Sequence, residues 1–308
     1  MKTANKVVSI VTSAFNEELC IVELIEQYRQ LEVAEPNYNF SFILVDNGST
    51  DSTLKLMQEN SQKLQGSVEI LKLSRNFRDG GGLKAGLSRA SGDALVLMSA
   101  DLQDHPNFIS NFLRLWEDGY KNVYAEIESR NGAKFLRQIN SKIFYKVAFI
   151  LSGRTITQNA SDFRLLDRSV YEALRMAPEY NKFLRGYISW LGFSSIGVKQ
   201  DRPNRFAGES KAGTIDTINY ALKGILSNSS VPLRLVSLAN LILCISQLIY
   251  FFSALISGST SDKILTYLMN TLIAFSFVII SEYMIVIYQE TKQRPQFVVE
   301  DILSIKKS

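Results

Sequence analysis

Residues 93–106 read DALVLMSADLQDHP: an apolar run from Ala94 to Met98 stops at Ser99 and is followed by Asp101, Gln103 and Asp104. A short apolar run closed by polar turn residues reads as a strand buried on both faces. Three similar runs precede it, VVSIVT (Val7–Thr12), FSFILVD (Phe40–Asp46) and VEILKL (Val68–Leu73). Helical stretches separate them: one from about Glu17 to Leu31, one opened by STDSTLKLMQEN with Ser, Thr and Asp as caps, and one running through Ala90 after a glycine-rich turn. This alternation predicts a mainly parallel α/β sheet covered on both faces. Ligands bind such sheets beyond the carboxyl ends of the strands, which here carry Thr12–Glu17, Asp46–Asp51, Ser74–Gly82 and Ser99–Asp104. Acids at those positions stand at the site the fold offers, whereas in a core they would be uncompensated.

The chain has 308 residues, enough for one large or two small domains, and a formal net charge of +4 that gives no argument for nucleic acid as a partner. Cys20 and Cys244 are far apart in apolar contexts and offer no metal or redox spacing, so both are expected as core thiols. The opening MKTANKVVSIVTSAFNEE lacks a signal-peptide pattern, which predicts a cytosolic soluble part and makes the Asn47, Asn159 and Asn228 sequons chance matches.

No charged residue occurs from Leu235 to Ser261 or from Ile264 to Ser281. At ~1.5 Å per residue each stretch can cross a ~30 Å hydrocarbon core, and the short connector SGSTSDK makes the pair a hairpin. Lys223 and Arg234 precede it and Lys292, Arg294, Lys306 and Lys307 follow it, against Asp262 and Lys263 in the connector, which predicts both termini in the cytoplasm. The alternative is a buried hairpin of a soluble domain. A further helix over 133–152, with Phe135, Ile139, Ile143, Val147 and Leu151 on one side and Lys134, Arg137, Lys142 and Lys146 between them, suits the headgroup layer or a core-facing position. The stretch from Thr214 to Leu226 has the same two readings. The organisation expected is a catalytic domain over 1–212, a juxtamembrane helix over 213–233, two membrane helices within 234–288 and a tail over 289–308.

Hard divalent cations take carboxylate and amide oxygens, and Asp101 and Gln103 share a side if their segment is extended. Asp104 is expected to cap the helix after Pro106, and His105, the single histidine, to be turn surface. RDGGGLKAG offers backbone amides to a phosphate but lacks the Lys-Ser/Thr of a Walker loop. In DRPNRFAGESKAG, Arg202, Arg205 and Lys211 with Ser210 suit a phosphate or pyrophosphate, against a solvated basic loop or one drawn to anionic lipid.

Seven motifs in order, SAFNEE, LVDNGSTDST, SRNF, GDALVLMSADLQDHP, SDFRLLDR, RFAGESKAG and EYMIVIYQETKQRP, resemble the polyprenyl-phosphate glycosyltransferases of glycosyltransferase family 2. The family includes dolichol-phosphate mannose synthase and the bacterial enzymes that load glucose onto undecaprenyl phosphate. The resemblance covers Val7 to about Pro295 and implies a GT-A fold, a nucleotide-sugar donor with UDP-sugars favoured, Mg²⁺ or Mn²⁺, and inversion at the anomeric carbon. It also implies a polyprenyl phosphate acceptor at the cytoplasmic face of the cell membrane, and it leaves a homo-oligomer open.

Carried over by position, Phe15, Glu17 and Asp46 hold the nucleoside, and Asp101 and Gln103 meet the metal and diphosphate. Arg202, Arg205, Ser210 and Lys211 engage donor or acceptor phosphate. Arg130 matches an arginine of the family's post-strand segment, and Arg137 is placed to reach the lipid phosphate. Asp162 stands where the family carries its candidate base; the other role open to it is to orient Arg164 or Arg202. The family's Asp-Ala-Asp is Ser99-Ala100-Asp101 here, its usual proline in the first loop is Ser13 or Ala14, and NFR replaces NFG. Ser99 therefore implies a weaker metal grip, with a catalytically weak nucleotide-sugar-binding scaffold as one alternative. An enzyme acting on a lipid-linked pyrophosphoryl sugar is the other.

Overall fold

The computed structural model describes residues 5–78, 80–127, 160–176, 184–200, 230–257 and 263–305. The four expected strands are β1 (Lys6–Ala14), β2 (Tyr38–Asp46), β3 (Ser67–Leu73) and β4 (Ala94–Ser99), all mutually parallel in the order β4-β1-β2-β3. Between them lie α1 (Glu18–Ala34), α2 (Thr53–Asn60) and α3 (Gly81–Arg89). Beyond β4 come α4 (Phe108–Glu117), β5 (Asn122–Ile127), β6 (Ala160–Asp167), α5 (Arg168–Met176), α6 (Leu184–Trp190) and β7 (Ser195–Gln200). β6 runs antiparallel beside β4, so the completed sheet is β7-β5-β6-β4-β1-β2-β3-β8, where β8 (Val299–Ile305) pairs antiparallel with β3.

The strands are apolar nearly throughout because helices cover both faces. Val8, Ile10, Phe42, Leu44, Ile70 and Val96 face one core with α1, α2 and α4. Val11, Ile43, Val45, Leu71, Leu95 and Leu97 face the other with α3, α5 and α6. The period-two alternation of strand side chains produces both sets from the same strands.

Two glycines set how close α3 comes to β1. A Cβ on Gly86 would fall inside the contact radius of Val11 Cγ1, and one on Gly82 would overlap Ser13 Oγ. The glycine-rich segment thus packs closely on β1 at positions 82 and 86.

After the sheet come α7 (Val231–Ser257) and α8 (Lys263–Lys292), both long and apolar enough to cross a membrane, with mean hydropathy 1.7 over Val231–Tyr250 and 2.0 over Met269–Lys292. None of the first span and 6% of the second is buried, which excludes the buried soluble hairpin. Cys20 is buried as expected, but Cys244 lies exposed on α7, because this helix presents most of its surface outward. Asn240 Nδ2 donates to Ser276 Oγ at 2.7 Å, and the Tyr283 hydroxyl is hydrogen-bonded to the Leu233 backbone. Both contacts obey one antiparallel register, and its continuation sets Arg234 level with Glu282. The two helices stop being charge-free at the same height.

The segment read as a tail contains β8, so the chain returns from the apolar hairpin into the sheet. Residues 133–152 and most of 213–233 lie outside the described residues.

Alanine is worth about 1 kcal/mol over glycine in a helix interior, while overpacking a core costs about 1–3 kcal/mol. Gly86→Ala should therefore lower the melting temperature of the detergent-solubilised full chain. An increase would mean that α3 does not press on Val11.

Candidate active site

The carboxyl ends of β1 to β4 bring four loops to one edge, and hydrogen bonds lace neighbouring loops together. Asn16, at φ 53°, donates its backbone N–H to Ser49 Oγ (3.0 Å) and accepts from Thr50 N on its Oδ1 (2.8 Å). Glu17 N donates to Thr53 Oγ1 at 2.9 Å. Asn47 joins the second loop to the third, accepting from Phe77 N (2.9 Å) and donating to Asn76 Oδ1 (3.2 Å). Gly48, at φ 76°, lies so close to Arg75 that a Cβ would overlap the Arg75 backbone. Asn16, Asn47 and Gly48 organise these loops without having been singled out in the sequence, although for Asn47 and Gly48 the turn chemistry of NGST is a usable signal.

Phe15 and Glu17 are half-buried in the first loop and Asp46 is buried at the end of β2. Asp46 Oδ1 accepts from Ser49 N at 3.1 Å. Burial pushes the Asp46 carboxyl above its ordinary range, hydrogen bonding from Ser49 opposes this, and nearby Asp51 adds to the rise while Lys72 lowers it. A buried carboxylate beside two asparagine-braced loops can accept hydrogen bonds from a planar polar ligand.

Ser99 is half-buried at the end of β4, level with Ser13 on β1. Asp101 is buried at 6% exposure. The segment after Ser99 is not extended: Leu102 sits at φ 55° and Gln103 N donates to Asp101 Oδ1 at 3.3 Å. The turn removes the alternation that would have put Asp101 and Gln103 on one side. Asp104 does not cap α4, whose N-cap is Asn107 without a side-chain hydrogen bond; it is buried instead, with Ser161 Oγ donating to its Oδ2 at 3.5 Å. His105 is half-buried in the turn and accepts from Asn107 N at 3.4 Å.

The β4–β6 ladder runs to Leu97–Arg164. Continued by two residues it sets Asp162 level with Ser99, so an acid distant in sequence reaches the same edge. Asp162 forms a two-pronged pair with Arg185 of α6: Nε donates to Oδ1 and Nη2 to Oδ2, both at 2.7 Å. The ion pair shown for Asp162 among the described residues is with Arg185; the buried Arg164 guanidinium donates to the Ser161 carbonyl at 2.5 Å, and Arg202 lies outside the described residues. Arg185 carried no motif that pointed to it. Arg130, Arg137, Arg202, Arg205, Ser210 and Lys211 lie outside the described residues.

Among the described residues no group of three or more His, Cys, Asp and Glu side chains could hold a metal by itself. One buried carboxylate, Asp101, with the neutral oxygens of Gln103 and Ser99 close along the chain, suits Mg²⁺ or Mn²⁺, which keep waters and draw further ligands from substrate phosphates.

The third loop is bordered from outside by the chain leaving α8. Ser74 N donates to the Val298 carbonyl at 3.0 Å, and a Cβ on Gly81 would stand 3.3 Å from the Gln296 carbonyl. The apolar hairpin and the ligand edge are thus joined through residues 293–298.

The profile described as glycosyl transferase family 2 matches residues 9–175. Nearly the whole chain is similar to an uncharacterized glycosyltransferase of Synechocystis sp., at 33% identity over 97% of this chain and 96% of that protein. It is similar also to the bactoprenol glucosyl transferase of Shigella phage SfV, at 30% identity over 96% and 98%. Among solved structures, glucosyl-3-phosphoglycerate synthase from Mycobacterium tuberculosis in complex with Mn²⁺, uridine-diphosphate and phosphoglyceric acid superposes with a TM-score of 0.51 at 16% identity, over 73% of this chain and 78% of that one. The parallel strands, the loops gathered at their carboxyl ends and these likenesses agree: the fold is GT-A, and the chain belongs to glycosyltransferase family 2.

Proposed function

We propose that the protein transfers a sugar, with inversion, from a nucleoside-diphosphate sugar, a UDP-sugar first, to a polyprenyl phosphate at the cytoplasmic face of the cell membrane. The observation that carries this reading is continuity: a membrane-length helix, α8, runs through a short link into β8 of the same sheet whose parallel strands present the ligand edge. A lipid acceptor needs that arrangement, because drawing a prenyl tail into water costs ~0.8 kcal/mol per CH₂. The bactoprenol glucosyl transferase among the relatives supports the same acceptor class. The cationic flanks of the hairpin favour both of its ends in the cytoplasm, with the Arg234–Glu282 level at the membrane boundary.

In this reading Phe15, Glu17 and Asp46 bind the nucleoside, and Asp101 with Gln103 holds Mg²⁺ or Mn²⁺ against the donor diphosphate. When bound, the metal supplies charge stabilisation for the departing diphosphate. Arg130, Arg137, Arg202, Arg205, Ser210 and Lys211 engage the phosphates. A phosphate monoester has a second pKa of ~6 and is largely dianionic near neutral pH, so the attacking oxygen needs orientation more than a base. Asp162 fits an orienting role, since both its oxygens are engaged by Arg185. That pairing counts against a hydroxyl acceptor such as a lipid-linked pyrophosphoryl sugar, for which Asp162 would have to take a proton.

The test is turnover by the purified full chain in lipid nanodiscs, with undecaprenyl phosphate and a panel of nucleotide sugars, with and without EDTA. Asp101→Ala should abolish turnover, since it removes the one carboxylate assigned to the metal, and weaken metal-dependent nucleotide binding. Wild-type turnover in this variant would remove Asp101 from the site.

Ser99→Asp restores the acid the family commonly carries. It should lower the Mn²⁺ concentration for half-maximal activity while leaving the preferred sugar unchanged. An unchanged Mn²⁺ response would place Ser99 outside the metal shell.

A further inference from the structure

Strands β2, β3 and β8 set three charged side chains side by side. Asp46 is the register partner of Lys72 in the parallel pair, and Lys72 is the partner of Asp301 in the antiparallel pair. Register partners on adjacent strands project to the same face. Lys72 thus stands between the buried Asp46 and the exposed Asp301.

The ladder then slips. Leu73 pairs with Val299 while Lys72 pairs with Asp301, so Glu300 is the extra residue of a β-bulge. The bulge lets Val299 join the core beneath Leu73 although Leu303 and Ile305, on the other side of the slip, pack on the opposite core. It also re-aims Glu300, whose Oε1 accepts from Lys72 Nζ at 2.9 Å. Both side chains are substantially exposed, 36% for Lys72 and 50% for Glu300. Such a pair adds little to stability, about 0.2–1 kcal/mol. Its effect is on direction. The ammonium has three acids within electrostatic reach, Glu300, Asp46 and Asp301, and Glu300 holds it by a hydrogen bond.

The geometry points to Glu300 as a positioning residue for donor binding: it keeps the Lys72 ammonium off Asp46, so that the Asp46 carboxylate stays open to the nucleoside. This rests on the assignment of Asp46 to the donor site. An acid delivered by the strand that follows the membrane hairpin thereby sets the donor affinity of a carboxylate two strands away. Without Glu300, Lys72 swings to the strongest remaining acid. A buried carboxylate attracts it more than an exposed one, because the surrounding dielectric is lower.

The experiment measures the Kd of UDP, GDP and TDP for the full chain in nanodiscs, and KM and kcat for the preferred nucleotide sugar. Glu300→Gln should weaken binding of the preferred diphosphate about threefold to tenfold, equivalent to about 0.7–1.4 kcal/mol, and raise KM with kcat unchanged. In a Lys72→Met background the same Glu300→Gln change should have no effect on Kd, because the competing cation is gone. Glu300→Asp should restore part of the affinity. If β8 were held by this pair for structural reasons only, melting temperature would fall while Kd stayed constant. That result, or an equal loss of affinity in the Lys72→Met background, overturns the proposal. Asp46→Asn separates the two layers: a Kd equal to wild type there sinks the donor-site reading itself, whereas a weakened Kd beside a silent Glu300→Gln sinks only the role of Glu300.

Discussion

Parallel pairing of β1 with β2 and with β4 is the constraint on which the rest depends. Parallel strands all end on one edge, so every loop that follows a strand must open there. The register of those pairs sets Ala14 beside Asp46 and Ser13 beside Ser99. That brings the first, second and fourth loops within reach of one ligand before any specific contact is considered. β6 then enters antiparallel against β4, and its first residues, Ser161 and Asp162, arrive at the same edge from the opposite direction.

The site is a set of loops braced against each other more than against the core. Asn16, Asn47 and Ser49 use side chains to satisfy the backbone of neighbouring loops, which a buried turn cannot leave unpaired. The glycines serve approach: Gly82 and Gly86 let α3 lie on β1, and Gly48 lets the second loop touch Arg75. Relaxed packing at those points would move Ser13 and Asn47, and with them the acids they stand beside.

The hairpin is held differently. Its surface is almost wholly exposed apolar side chain, so no core gathers the helices; the Asn240–Ser276 hydrogen bond and helix packing set their register. From there a short link over residues 293–298 leads into β8, so an apolar hairpin of membrane-spanning length and the ligand edge are parts of one connected structure.

The strands and the hairpin were legible along the chain because hydrophobic periodicity and charge-free length are local properties. The four parallel strands and the motifs at their ends fall where the apolar runs end. The seven ordered motifs were sufficient for the family, since a family pattern is a linear one. What sequence could not carry was direction and distance. Asp101 and Gln103 were expected on one side of an extended segment, but the chain turns at Leu102 and Gln103 N donates back to Asp101 Oδ1, because a positive φ depends on what surrounds the residue. Asp104 reads as a cap and is buried beside Ser161, a partner 57 residues away. Arg185 stood in no motif, yet it takes both oxygens of Asp162. The last strand reads as a tail because half of its side chains face outward, and only pairing with β3 makes it a strand. Sequence determined which groups are present and where the chain must be apolar. Tertiary structure decided which groups meet, since contacts between residues far apart in the chain are set by strand order and register, and a single chain of letters does not contain either.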